Sequence, residues 1–319
     1  MGKYIARRTL LVIPVLFIVS VITFSIMQLA PGDPAAIVLG GDYIMYATVE
    51  EIEEVRKNMG IDRPPIEQYF SWLGGFFVGE LGKSLFTTES VSLLVSQKIE
   101  ATISTVFSGI TLALLFGIPM GVLAGWKMNT WIDRSVMVFA VLGFAIPGFW
   151  LAFNLIFLFS LKLGWFPVFG FRSLITDGPI EFLRYITLPG ITLGVAFMAL
   201  IARMTRSSLV EVLSEDYIRT ARAKGLSERI VLIRHALRAA SMPVVTVIGL
   251  VFAAAVTGTA ITESVFAIPG MGRMFVKAVG DRDFPVIQGL MMIFATSYVF
   301  VNLGVDILYA YLDPRVRYS

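Results

Sequence analysis

Long apolar stretches separated by charged segments are the main pattern along this chain. A helix needs about 20 mostly apolar residues to cross the roughly 30 Å of hydrocarbon in a bilayer. Six stretches reach that length, at residues 9–30, 101–126, 135–161, 185–204, 241–262 and 285–312. The pattern predicts an all-α, polytopic membrane protein with six transmembrane helices, forming a single transmembrane domain over residues 1–319.

The first stretch has two possible interpretations, because Lys3, Arg7 and Arg8 precede it as in a signal peptide. Its apolar run is longer than the about 7–15 residues of a signal-peptide core, and no clear small-x-small cleavage site follows. We therefore interpret it as a membrane span. Composition agrees with a membrane protein, since 56% of the residues are hydrophobic and only 15% are charged.

The distribution of Lys and Arg predicts the orientation. Six spans place both termini on one side, which carries 15 of the 26 Lys and Arg residues. The other side carries 11, together with most of the acidic residues. Because short basic flanks favour the cytoplasm, we expect both termini and the loop 204–240 to be cytoplasmic and the segment 31–99 to be external.

The external segment contains recognisable helix signals. Thr48 and Glu51 have the spacing of a capping box, and Gly60 is suited to end the helix that follows. The stretch 66–77 is rich in aromatic residues, so it either lies along the outer membrane surface or forms a small cap on the helices. In the last external loop, 263–285, residues 267–272 have turn chemistry and are compatible with re-entry into the bilayer.

Catalytic and metal-binding chemistry is sparse. The chain has no cysteine, and its one histidine, His235, cannot form a multi-histidine metal site. The run Gly82-Lys83-Ser84 resembles the end of a phosphate-binding loop, but Phe77 stands where that loop requires glycine. We therefore expect no enzyme activity and no metal, and the small net charge of +3 gives no indication of nucleic acid.

Several small or polar residues lie inside the apolar stretches. Gly117, Gly121 and Gly125 share one helix face, which favours close helix packing, within the chain or with another subunit. A second set carries polar side chains at membrane depth, which either line a translocation path or form hydrogen bonds between helices: Asn154, Gln288 and Asn302. Asp306, near the inner end of the last stretch, is either a functional acid or a solvated one.

The loop 204–240 is the most informative segment. It predicts two short helices around Gly225, with Ser227 as the N-cap of the second. A few lysines would be sufficient to orient the chain, so a loop of this length and charge indicates a docking surface for a soluble partner. The alternative is a basic loop that only determines topology.

At this point the residues resemble a known family, the permease subunits of ATP-binding cassette importers in the dipeptide and oligopeptide branch. The run Arg219-Thr-Ala-Arg-Ala-Lys-Gly-Leu226 and the later His235-Ala-Leu-Arg238 carry the resemblance. The general family pattern has Glu-Ala-Ala, three residues and Gly; here Arg219 and Thr220 replace its first two residues. Further similar motifs, in matching order, lie at 29–34, 116–121, 265–272 and 309–315.

The resemblance implies a type I importer fold in the prokaryotic plasma membrane. It implies lipid contact and several protein partners: a second, homologous permease (expected to form a heterodimer), two cytoplasmic ATP-binding subunits, and an extracytoplasmic substrate-binding protein. ATP and Mg²⁺ would bind the partner subunits and no cofactor would bind this chain. The residues that would couple it to the ATPases are Arg219, Thr220, Ala221, Arg222, Lys224, Gly225 and His235.

Two other classes of function remain alternatives. An autonomous secondary transporter would use an acid at mid-membrane, where only the off-centre Asp306 is available. A membrane enzyme would need catalytic groups that the sequence does not provide. Within the favoured class the substrate is open, since similar permeases carry dipeptides, oligopeptides, nickel or oligosaccharides.

Overall fold

The computed structural model describes residues 2–29, 35, 39 and 48–312. Two of the sequence motifs, 29–34 and 309–315, lie mostly outside these residues or have undescribed side chains. In the described part, helices account for most of the chain, and the one isolated β-bridge joins Lys83 and Ser90. The helices are α1 (Gly2–Leu29), α2 (Val49–Met59), α3 (Pro65–Val78), α4 (Val91–Trp126), α5 (Trp131–Ala145), α6 (Gly148–Lys162), α7 (Pro179–Leu213), α8 (Asp216–Ala223), α9 (Glu228–Val265), α10 (Met271–Asp281) and α11 (Phe284–Leu312).

Helices α4 and α7 form the most extensive contact among the described elements. Gly109 of α4 faces Leu193 of α7, and sixteen residues later Gly125 faces Leu209. Because sixteen residues separate the two contacts on both helices and in the same chain direction, the helices run parallel. Both begin on the side predicted to be external. The chain must therefore return across the membrane between them.

The segment that returns is bent. Helices α5 and α6 cover the predicted span 135–161, but they meet at 100° around Ile146 and Pro147. Proline lacks a backbone N–H and drives the preceding residue out of the helical region, and Ile146 has extended angles of φ −73° and ψ 125°. With this pair counted as one broken span, the described chain contains six spans.

Helix α9 is longer than the predicted span 241–262, since it runs from Glu228 to Val265. The second helix expected in the basic loop is therefore the first part of a membrane helix. Val231, Ala236 and Ala240 are buried on it and pack with Leu209 of α7, so the same inward face continues from the loop into the membrane. A π-helical turn over Val231–Ala236 adjusts the register of that face.

On the side predicted to be external, the local sequence signals are confirmed. Thr48 and Glu51 form both bonds of the capping box, and Gly60 ends α2 in the left-handed conformation. The aromatic helix α3 packs on α1, where Tyr69 forms a 2.8 Å hydrogen bond with Ser20 and stacks edge-on against Phe24. Residues 266–270 form the turn between α9 and α10, whereas Met271 and Gly272, which were expected to belong to this turn, are the first residues of α10.

Candidate functional site

Helix α8 is anchored to the rest of the chain by one apolar face. Ile218 is fully buried and Ala221 nearly so, and both pack among apolar side chains of α7 and α9. The sequence interpretation placed Ala221 against a partner protein. Its side chain instead contacts this chain, which means that its small size allows α8 to lie close to its own membrane helices.

The opposite face of α8 is exposed and carries most of the remaining predicted residues. Arg219, Thr220, Arg222 and Lys224 all point into solvent. Arg219 pairs with Asp216 at 3.4 Å, and the Thr220 hydroxyl donates to the Asp216 carbonyl at 3.0 Å. Lys224 forms no ion pair within the described part of the chain, so its charge is free to meet an acidic partner.

The turn at Gly225 is defined by backbone geometry and by one ion pair. Gly225 has φ +80°, a conformation that side-chain-bearing residues resist, and its N–H donates to the Arg222 carbonyl at 2.9 Å. Arg222 then reaches across the turn to Glu228, with Nε at 2.8 Å from Oε1. The sequence interpretation assigned Arg222 to a partner, but in this structure its first role is to close the turn.

Sequence reasoning missed the apolar residues on this surface. Tyr217, Leu226 and Ile230 are 46%, 37% and 44% exposed, beside the basic side chains of α8. Exposed apolar side chains grouped with charges are typical of a protein interface. The sequence carried no signal for them, because the buried face of Ile218 and Ala221 is visible only in the tertiary contacts. His235 lies further along, half-buried in the π-helical turn of α9.

The membrane glycines lie along a contact within the chain. A Cβ on Gly117 would lie 3.2 Å from the Cβ of Ile201, and one on Gly121 would lie 2.6 Å from that of Thr205. Gly125 faces Leu209 in the same way. These three glycines therefore allow α4 to approach α7 closely, which fits the intrachain alternative for this motif.

The three polar residues proposed for a translocation path do not form one group. The side chain of Asn154 donates to Trp150 O, and that of Asn302 donates to Tyr298 O, each on its own helix. Gln288 is buried in the first part of α11, and its Nε2 has no hydrogen-bond partner among the described residues. At 1.5 Å per residue, Asn302 lies about 21 Å further along α11 than Gln288.

Two acidic residues have specific partners that the sequence did not reveal. Asp306 pairs with Arg8 of α1 at 2.9 Å, so it joins the first and last spans. Glu263 is fully buried near the end of α9, where its carboxylate accepts from the Thr102 hydroxyl at 2.7 Å and from the Arg273 N–H at 2.8 Å. Glu263 thereby caps the start of α10, which Gly270 leaves without a side-chain cap.

The degenerate phosphate-loop sequence also has a structural role. Ser84 donates its hydroxyl to the carboxylate of Asp283, which is buried just before α11, and the N–H of Leu85 donates to the same carboxylate at 3.2 Å. The segment around Gly82 therefore joins the N-terminal ends of α4 and α11. This placement gives a structural reason for the residues that resembled a nucleotide site.

Comparison with known proteins agrees with this architecture. The family described as binding-protein-dependent transport system inner membrane component matches residues 117–318, and its N-terminal companion family matches residues 1–113.

Two curated relatives and one solved structure extend this agreement. The dipeptide transport system permease protein DppB of Alkalihalophilus pseudofirmus is 39% identical over 337 aligned residues, and the glutathione transport system permease protein GsiC of Escherichia coli O6:H1 is 41% identical over 319, each with full coverage of both chains. The inward-facing MetNI methionine ABC transporter has a chain with the same fold, at a TM-score of 0.57 and 17% identity. The match covers 69% of this chain and 97% of that chain.

Proposed function

Because this chain belongs to the binding-protein-dependent transport system inner membrane components and is thus the permease subunit of an ATP-binding cassette importer, we propose that its cargo is di- or oligopeptides. The chain is a multi-pass protein of the inner membrane, and it works with ATPase and substrate-binding partners without hydrolysing ATP itself. Relatives of similar identity and full coverage are named for dipeptide and glutathione transport, which supports a peptide as the substrate.

The observation that carries the proposed mechanism is the two-sided character of α8. One face is packed into the chain through Ile218. On the exposed side, Tyr217 of α8 lies with Lys224 and Leu226 of the following turn and with Ile230 of α9. An ATPase docked on this surface would move α8 together with the helix ends beneath it. We therefore assign coupling to the loop 204–240, with Gly225 setting its turn.

Helix α9 provides a path from that surface to the outer side. Its 38 residues form one helix from Glu228 to Val265, about 57 Å long at 1.5 Å per residue. Its inner end joins the α8 turn through the Arg222–Glu228 pair, and its outer end holds α10 through Glu263. A rigid-body tilt of α9 would therefore link ATPase closure to rearrangement at the external mouth.

The remaining partners follow from the same proposal. A second, homologous permease completes the translocation path, and two ATPase subunits hold ATP and Mg²⁺ below. The external segments 31–99 and 263–285 meet the substrate-binding protein. In this arrangement Asn154, Gln288 and Asn302 are candidates for the path, although they lie at different heights.

The test is transport by the complete complex in proteoliposomes, with ATP enclosed on the ATPase side and the binding protein outside. We expect uptake of labelled dialanine to require ATP and to persist when an ionophore collapses ion gradients. Excess unlabelled peptide should compete, whereas a nickel–histidine chelate and maltotriose should not.

Two outcomes would contradict this proposal in different ways. Uptake that needs the gradient and ignores ATP would indicate a secondary transporter. ATP-dependent uptake competed by the nickel chelate or the sugar would leave the importer intact and replace the substrate class.

A further inference from the structure

A large cavity of about 1130 Å³ opens on the outer side, away from the coupling surface. Its walls come from the outer end of α1, from α2 and α3, and from the first turn of α11. The apolar part of its lining includes Phe24, Met27, Trp72 and Phe284. Since Phe24 and Met27 are near the end of a spanning helix and Phe284 begins another, this part lies at the outer membrane boundary.

The cavity has an ordered frame. The Gln68 side chain donates to the carbonyls of Ile61 and Arg63, at 3.1 and 2.7 Å, and accepts from Gln28 of α1 at 2.9 Å. One side chain on α3 thus fixes both the turn after α2 and the end of α1. Trp72 and Phe24 form an aromatic wall, with ring centroids 6.0 Å apart.

The charges around this cavity are balanced in sign. Three acidic and three basic side chains line it, so their formal charges cancel: Glu53, Asp62, Glu80, Arg56, Lys57 and Arg63. Five of them, Glu53, Asp62, Glu80, Lys57 and Arg63, form no ion pair within the described part of the chain. A ligand of one charge would meet as much repulsion as attraction, whereas a ligand with both charges satisfies both sets.

We propose that this cavity binds a zwitterionic ligand, one that carries an ammonium and an anionic group on an apolar body. The ammonium group is attracted to the faces of Trp72 and Phe24 and to the carboxylates. The anionic group pairs with Lys57 and Arg63 through charge-assisted hydrogen bonds. On the outer side this chemistry has two sources, an ethanolamine phospholipid and a peptide with free termini.

The test uses the full-length permease in nanodiscs, with one arm for each source. In the peptide arm the lipid is phosphatidylglycerol, and calorimetry measures the Kd of trialanine and of its acetylated, amidated form. In the lipid arm, native mass spectrometry compares retention of phosphatidylethanolamine with that of phosphatidylglycerol. Two cavity variants are compared with wild type: Glu53→Gln with Glu80→Gln, and Lys57→Gln with Arg63→Gln. Glu54→Gln is the matched control, since Glu54 is an exposed acid of α2 that does not line the cavity.

Losing a charge-assisted contact weakens binding by about tenfold or more, and we expect that loss in both cavity variants and not in the control. If the cavity variants weaken binding in the peptide arm, the ligand is a peptide. The acetylated, amidated form of trialanine should then bind weakly to the wild type. If the cavity variants weaken binding in the lipid arm, the ligand is the phospholipid. Binding that is absent in both arms, or that is the same in cavity variants and control, overturns the proposal.

Discussion

Arg206 holds Asp133 through two parallel hydrogen bonds, from Nε to Oδ1 at 2.6 Å and from Nη2 to Oδ2 at 2.8 Å. Asp133 is only 3% exposed and also accepts from the N–H of Asn129 at 2.9 Å. The pair joins the first turn of α5 to the C-terminal part of α7, at the start of the loop 204–240. It therefore fixes the base from which the coupling surface projects.

Replacing Asp133 with Asn should destabilise the permease by about 2–3 kcal/mol. This is below the roughly 3–5 kcal/mol for breaking a fully buried pair, because Arg206 keeps some contact with solvent. The midpoint of denaturant unfolding in detergent micelles measures the change. The control is Glu181→Gln, which breaks the exposed Arg184–Glu181 pair and should cost at most about 1 kcal/mol. Equal losses for the two variants would show that the Asp133 pair is no stronger than a surface pair.

At Gly225, the effect of a substitution should depend on how readily the new residue adopts a positive φ, and not on the size of its side chain. Among the described residues other than Gly225 and its two chain neighbours, no atom lies within 4 Å of a Cβ placed there, so the constraint is the positive φ alone. We expect Gly225→Val to uncouple ATP hydrolysis from uptake in the reconstituted complex, and Gly225→Asn to retain most coupling, because Asn enters the left-handed region more readily. Normal uptake in the Val variant would contradict this account, and so would complete loss in the Asn variant.

Exchanging the charges of Arg222 and Glu228 tests whether Arg222 closes the turn or contacts a partner. Arg222→Glu alone should open the turn and reduce coupling. The exchange of both residues, Arg222→Glu with Glu228→Arg, should restore coupling if the pair serves to close the turn. ATPase activity and uptake are measured together for each variant. If the double exchange remains as defective as the single change, Arg222 acts on the partner.

The capping box of α2 predicts that the stability of the first turn of this helix depends on pH. Hydrogen bonds from the backbone N–H and the hydroxyl side chain of Thr48 hold the pKa of Glu51 below its ordinary value of 4.5. Because the folded pKa is lowered, this stabilisation is present above the unfolded pKa and is lost as pH falls through the folded value. Hydrogen-exchange protection factors over the first turn of α2 should therefore drop below about pH 4 in the wild type.

The matched variant for this prediction is Thr48→Ala, which removes the hydroxyl and weakens the cap by about 1 kcal/mol. Protection in the first turn should then be low at neutral pH and change less on acidification. A wild type whose protection stays constant from neutral to acidic pH would show that the cap does not depend on the carboxylate charge.

Several features could be read from local sequence because local energetics decide them. The capping box and Gly60 need only residues within a few positions, and both are present as expected. The coupling loop was less predictable, since burial depends on what packs beneath α8. Ala221 was assigned to the partner side, and only the contacts with α7 and α9 show that it faces inward. The bend at Pro147 has a sequence signal, but proline is common in membrane helices and its effect depends on the neighbouring helices.

The sequence by itself determined the membrane class, the number of apolar spans and the likeness to cassette-importer permeases, because hydrophobic length and ordered motifs are properties of the linear chain. Tertiary structure alone decided which polar and charged side chains pair. Arg206 meets Asp133, Arg8 meets Asp306, and Glu263 meets Thr102, each across a separation far beyond one helical turn. Such pairs arise because packed helices bring distant residues together and remove water between them, so their energy depends on contacts that no local pattern specifies.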